Sequence, residues 1–411
     1  MNLKCLHTFV TVFLLPLGVS KNAKYDFIFF IVCYSLVFYL TFGVVIGLVN
    51  TTDIGGIGLQ IGQLTTYLTS LAMTLYYKFS INLVLKLISK LKANGYQWME
   101  AGRRMEEFIG STVLKVFCGY YAMIFAVILP ILLSIPNTSR IDEKTSFLIP
   151  FWYYCGDADD PKWTSWLCWK VEDVGELWIS DIVQSVLYTL TLHALVMYLL
   201  FYTILTTNVR IHAEVLNENV VEMARQWDRF GLRIARDVED ANSERSRQMA
   251  RYYCGKCWIR FDDIVKHQQF IRDFTKDVTK LLQWMVMINM MGIFVSLTIT
   301  LFFTIVEKTN DSMLSSKMAS MSFIMIITFF IYCYNAQTIT DLNQSIFDSV
   351  LKIPWYDQSI SFRKKYTIVL SLNQKPIHVK ACKMYEVNLP LFLSFMKAIY
   401  SVINIMLLKY S

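Results

Sequence analysis

The stretch "LSFMKAIYSVINIMLLKYS", Leu393–Ser411, is apolar enough for a bilayer, yet Ser394, Lys397, Tyr400, Ser401 and Asn404 interrupt it. The interruptions do not scatter when the stretch is wound as an α-helix. With Ser394 at the origin, Lys397 falls at about 300°, Ser401 at about 340°, Asn404 at about 280° and Leu408 at about 320°. Tyr400 borders this group, while Phe395, Met396, Ile399 and Met406 take other faces. A polar stripe is costly in hydrocarbon, so it must meet polar protein or water. Two arrangements satisfy it. The stripe packs into the chain's own bundle and bonds to other helices, or several copies of the helix surround a water-filled pore. In the second case Ile405 and Leu408 form an apolar constriction of the kind that gates by dewetting.

The rest of the chain sets the class. Of 411 residues, 55% are hydrophobic and 17% charged, with a mean hydropathy of +0.41. Soluble domains carry about 25% charged residues. Apolar runs recur near the length of about 20 residues that crosses a bilayer. The expectation is an all-α integral membrane protein with seven spans at 27–49, 57–79, 113–135, 177–206, 278–306, 317–333 and 387–408. They form one seven-helix membrane domain over 1–411. The second span is unusually polar, with Gln60, Gln63, Thr65, Thr66, Thr69 and Ser70.

Orientation follows from basic residues in the loops. With a cytoplasmic N-terminus, 31 of the 39 Lys and Arg lie in inside segments and 6 in outside loops. The sequons at Asn50, Asn137 and Asn310 fall in the three loops so placed outside, as glycosylation requires. Seven spans then put the C-terminus outside. The start, "MNLKCLHTFVTVFLLPLGVS", has an apolar run broken by Pro16 and no convincing cleavage site; it reads as a segment at the inner membrane face.

The segments between spans carry their own signals. Residues 208–277 mix 13 basic with 12 acidic residues. Apolar Val209, Val220, Met223, Trp227, Phe230 and Ile234 recur at helical spacing. Helices continuing inward from spans four and five, with a turn near Gly231 and Asp237–Gln248, are expected. This block and 336–386 form a cytoplasmic anchor region. The 136–176 loop, extracellular in this orientation, is acidic and aromatic ("FWYYCGDADDPKWTSWLCW") and holds Cys155 and Cys168. An oxidising outside makes these two a candidate disulfide. The inside Cys254-Gly-Lys-Cys257 has no second pair and no nearby His, so it reads as structural cysteine, with no metal. No phosphate-binding glycine loop, HExxH helix or nucleophile elbow occurs. Neither an enzyme nor a cofactor site is expected.

A further stretch is specific. From Tyr332 the chain carries Tyr332-Cys333-Tyr334, Ala336, Ser345, Trp355-Tyr356, Arg363-Lys364-Lys365, Gln374-Lys375-Pro376, Asn388-Leu389, Phe392 and Tyr400-Ser401, in that order. This resembles the C-terminal signature of insect odorant receptors; elsewhere the resemblance is one of architecture. It implies a ligand-gated, non-selective cation channel that forms a tetramer with the Orco co-receptor, in the plasma membrane of olfactory sensory neuron dendrites. The chain lacks the co-receptor's extra cytoplasmic insertion and so resembles an odorant-tuning subunit. Its last helix would line the pore through Ser394, Lys397, Ser401, Asn404, Ile405 and Leu408. Trp355, Tyr356, Gln374, Lys375, Pro376 and Tyr385 would belong to the inter-subunit anchor. A small volatile odorant would bind in the outer half of the bundle. Candidates there are Gln63 and Tyr67, Phe125 and Leu129, Ile182 and Tyr188, and Met321 and Met325, a mostly apolar set with few polar points. Membrane lipid is the other partner, and nucleic acid is not one. A gustatory receptor channel shares this layout, and a G-protein-coupled chemoreceptor would reverse it.

Overall fold

The computed structural model describes residues 54–97, 99–108, 110–111, 197–226, 244–306, 312–353, 355–356, 360–374, 378–382 and 384–410, with positions 35, 38, 41, 45, 115 and 195 singly. Helices dominate these residues: α1 Ile54–Phe79, α2 Ile81–Gln97, α3 Met99–Phe108, α4 over 197–226, α5 Glu244–Val306, α6 Ser312–Leu351, α7 Ile360–Asn373 and α8 Leu389–Tyr410. One two-stranded hairpin, β1 Lys380–Ala381 with β2 Tyr385–Glu386, precedes α8. Expected spans two, five, six and seven lie almost wholly within α1, α5, α6 and α8, and the described part of span four within α4. Spans one and three lie almost wholly outside the described residues.

Among the described residues, Ile259–Phe302 and Leu389–Leu408 are long and apolar enough to cross a membrane. Leu64–Phe79 and Ile81–Lys90 add a third if their 69° bend lies within one broken span. The bend has a local cause at Ser80. Its N–H closes the last turn of α1 on the Tyr76 carbonyl, while its own carbonyl accepts the N–H groups of Leu83 and Val84 to begin α2.

α5 is the spine. Its 63 residues run unbroken through the charged segment Asp262–Asp277 into the apolar segment from Val278, at 1.5 Å per residue a rod of about 95 Å. Both α4 and α5 thus continue past the expected membrane boundaries, as the apolar spacing in 208–277 predicts. Against this spine lies a continuous core with Met73 and Tyr77 of α1, Tyr202 and Leu205 of α4, Leu281 and Met285 of α5, Tyr332 of α6 and Phe362 of α7.

Tyrosines stitch the helices together. Tyr76 donates its hydroxyl to the Leu281 carbonyl at 2.8 Å, and the Tyr77 hydroxyl meets the Met285 sulfur at 3.1 Å. Tyr198 donates to Thr74 Oγ1 at 2.6 Å and stacks on Tyr77, ring centroids 4.6 Å apart. Tyr202 donates to the Tyr332 carbonyl at 2.8 Å. Each ring buries a large apolar body while its hydroxyl finds an acceptor, which is what keeps buried tyrosine affordable.

Part of the polar character of the second expected span is met inside its own helix. Thr65, Thr66, Thr69 and Thr74 each donate a hydroxyl to the carbonyl four residues back, at 2.7 to 3.0 Å. These hydroxyls are satisfied within their own helix. For these four threonines, polarity in α1 is met without a water-filled space beside it.

Candidate functional site: the last helix

α8 begins where its sequence says it should. Asn388 accepts the Leu391 N–H on its side-chain oxygen at 2.8 Å, the N-cap arrangement. Pro390 sits in the first turn, where a missing N–H removes no intrahelical bond. Upstream, the hairpin pairs Lys380 with Glu386 and Ala381 with Tyr385, and Cys382 between its strands takes a positive φ of 50°. The Cys382 N–H donates to the Gln283 carbonyl of α5 at 3.0 Å. That bond fixes the point from which α8 departs.

One face of α8 is spoken for. Phe395 packs on Phe329 of α6 with centroids 4.2 Å apart and meets Phe294 of α5 edge-on at 5.4 Å. Phe392 touches Phe329 and Phe330, and Ile399 and Ile403 are buried. The other face is open. Ser394, Lys397 and Ser401 are exposed and Asn404 is half-buried. Tyr400 is 69% exposed, Ile405 64% and Leu408 78%.

Among the described residues the polar stripe thus points away from the aromatic contacts that α8 makes with α5 and α6. The aromatic face makes the contacts with the described helices. Among the described residues nothing forms a hydrogen bond or ion pair with Lys397. A span with an ammonium and hydroxyls on its free side requires water or polar protein there.

Other sequence candidates divide. Tyr67 is buried on α1, and Met325 packs against the core from α6. Gln63 and Met321 are helical positions on α1 and α6. Phe125, Leu129, Ile182 and Tyr188 lie outside the described residues, as do Lys375, Pro376, Asn50, Asn137, Asn310, Cys155 and Cys168. Of the anchor candidates, Trp355 stacks on Tyr366 with centroids 5.7 Å apart and planes 14° from parallel. Trp355, Tyr356, Gln374 and Tyr385 are all exposed. Ile360, Ile368 and Met384 join them as large exposed apolar side chains.

Three features escaped the sequence. His212 of α4 and His267 of α5 meet inside the core, Nδ1 to Nε2 at 3.0 Å, in segments outside the expected spans. Burial holds the His212 imidazole down at about 4. Burial and the neighbouring ring hold His267 at about 3. Asp277 of α5 bridges Lys86 at 3.0 Å and Lys90 at 2.6 Å, both on α2. Partial burial raises its carboxyl, but the two lysines outweigh that and leave it below the usual value. Gly292 of α5 faces Thr69 of α1 so closely that any Cβ at 292 would collide with the threonine side chain. The partners in these pairs are remote in sequence, and no local pattern links them. No group of three or more metal-ligating side chains occurs among the described residues.

Comparison with known proteins places this architecture. The sequence model described as 7tm Odorant receptor matches residues 59–400. Two solved structures of the insect olfactory receptor OR5 from Machilis hrabei share the fold. The complex with eugenol has a TM-score of 0.71 at 12% identity, covering 100% of this chain and 99% of that one. The other has a TM-score of 0.69 at 12% identity, covering 99% and 98%. No curated protein sequence matches.

Proposed function

Because the chain belongs to the odorant receptor family, we propose that it is an odorant-tuning subunit of a ligand-gated, non-selective cation channel. In this reading it assembles with Orco subunits as a tetramer in the plasma membrane of olfactory sensory neuron dendrites. The N-terminus is cytoplasmic and the C-terminus extracellular. α8 copies surround the conduction path, with Ser394, Lys397, Ser401 and Asn404 toward water and Ile405 and Leu408 as the constriction.

The observation that carries the reading is the free face of α8. A helix that packs one aromatic side on its own bundle and leaves a polar stripe uncovered is incomplete as a monomer. A ring of such helices satisfies every stripe at once. The exposed Trp355, Tyr356, Gln374 and Tyr385, with Lys375 and Pro376, form the anchor in this reading. Their aromatic character suits a subunit interface.

A small volatile ligand occupies the outer half of the bundle, among Gln63, Tyr67, Phe125, Leu129, Ile182, Tyr188, Met321 and Met325. Methionines there would accommodate several shapes. The sequons at Asn50, Asn137 and Asn310 and the Cys155–Cys168 pair belong to the outer loops.

Expression with and without Orco, with currents recorded across an odorant panel, tests the reading. Odorant-evoked cation current that requires both chains is expected. Equal current from this chain alone would overturn the heteromer. An epitope at the C-terminus should stain in unpermeabilised cells, and its absence there would reverse the topology.

A further inference from the structure

Among the described side chains of α8, Lys397 is the one that carries a charge. It lies on the exposed polar stripe, flanked by Ser394 three residues before and Ser401 four residues after. Both neighbours carry uncharged hydroxyls, which cannot neutralise an ammonium. No described carboxylate reaches it. The hydrophobic face of the helix is committed to Phe294 and Phe329 through Phe395, which holds the stripe in its present orientation.

We propose that Lys397 is the permeation-determining residue of this subunit: its ammonium opposes cation passage, divalent cations most strongly. The inference rests on the pore reading of α8 given above. A fixed positive charge on the wall of a water-filled path lowers the local cation concentration, and low-dielectric walls focus that field. Screening at physiological salt acts over about 8 Å, so an uncompensated charge on the wall is felt by ions within the path. A divalent ion experiences twice the energy of a monovalent one at the same potential. Each copy of this chain adds one such charge. Cation flux is therefore carried chiefly along the walls supplied by the partner subunit, and conductance falls as copies of this chain replace the partner.

The test uses the full chain co-expressed with Orco, reading unitary conductance and the calcium-to-caesium permeability ratio from reversal potentials. Lys397→Gln should raise inward unitary conductance about twofold and the permeability ratio by more than that. Lys397→Glu should raise both further, and Lys397→Arg should leave both unchanged. These are properties of single open channels and do not depend on expression level.

The pore reading is tested separately. Ser394→Cys and Ser401→Cys are exposed in turn to a cationic and an anionic methanethiosulfonate, each of which should change the current. If neither cysteine reacts, the pore reading fails and the inference with it. If a cysteine reacts but Lys397→Gln and Lys397→Glu match wild type, the charge inference alone is overturned. Should the lysine variants not open, the reagents at Ser394→Cys, one turn away, decide. Conductance lowered by the cationic and raised by the anionic reagent supports the inference, and equal effects overturn it.

Discussion

His212 Nδ1 and His267 Nε2 lie 3.0 Å apart in the packed interface between α4 and α5. One nitrogen must donate and the other accept, so the contact holds only while at least one ring is neutral. Phe270 closes on His212 edge-on, with ring centroids 5.3 Å apart, and both imidazoles are buried.

A pH dependence follows. Both imidazoles titrate lower in the fold than the ordinary 6.5, at about 4 and about 3. Between those values the unfolded chain binds more protons, so stability rises with pH. The contribution is complete above 6.5 and is lost progressively toward pH 4, by roughly 3 kcal/mol for His212 alone. Thermal unfolding in detergent from pH 7.5 to 4.5 should show this decline, and His212→Gln should make it shallower, leaving the part that burial of His267 contributes.

Asp277 titrates in a different window. Its carboxyl lies below the usual carboxylate value in the fold, so its contribution is full above about 3.8 and disappears only at more acidic pH. Asp277→Asn should therefore lower stability by about 1 kcal/mol at neutral pH without changing the slope between pH 4.5 and 7. High salt should shrink that difference, because the lysine ends are partly exposed. A slope change in this variant would reassign the pH effect away from the histidines.

Gly292→Ala should destabilise by about 1–3 kcal/mol through overpacking. The new methyl would meet Thr69 Oγ1, Cγ2 and Cβ, in increasing order of distance. Thr69→Ala removes the first two atoms and should recover part of the loss. A double-mutant cycle of thermal stabilities checks this, and additive effects would show that the two helices do not meet here.

Tyr202 separates packing from hydrogen bonding. Tyr202→Phe loses the bond to the Tyr332 carbonyl at about 1 kcal/mol, since that carbonyl can still serve its own helix. Tyr202→Ala empties a fully buried ring site and should cost about 3–5 kcal/mol. Similar losses in the two variants would mean that the hydroxyl, not the ring, holds α4 against α6.

The sequence was most legible where periodicity carried the signal. The stripe through Ser394, Lys397, Ser401 and Asn404 could be drawn from spacing, and the helix exposes the first three and half-buries Asn404. Spacing could not tell whether that side was covered, because the deciding contacts come from Phe329 and Phe294 on other helices. The spacing of Val209, Val220 and Met223 likewise predicted the long inward helices. Lys86 and Lys90 read only as basic loop residues. Their place on α2 depends on a 69° bend after Phe79 and on Asp277 far along the chain. The His pair was invisible for the same reason: 55 residues separate its members.

The unbroken α5 has one more consequence. Glu244–Val306 is a single helix, so its two halves share one rotational phase. An extra residue inserted between Asp277 and Val278 would turn everything beyond it by about 100° and shift it by about 1.5 Å. Met285 would then leave Tyr77, and Gln283 would no longer present its carbonyl to Cys382, although no native side chain had been changed. The helix acts as a crankshaft whose keyed ends tolerate almost any surface substitution but no change of count.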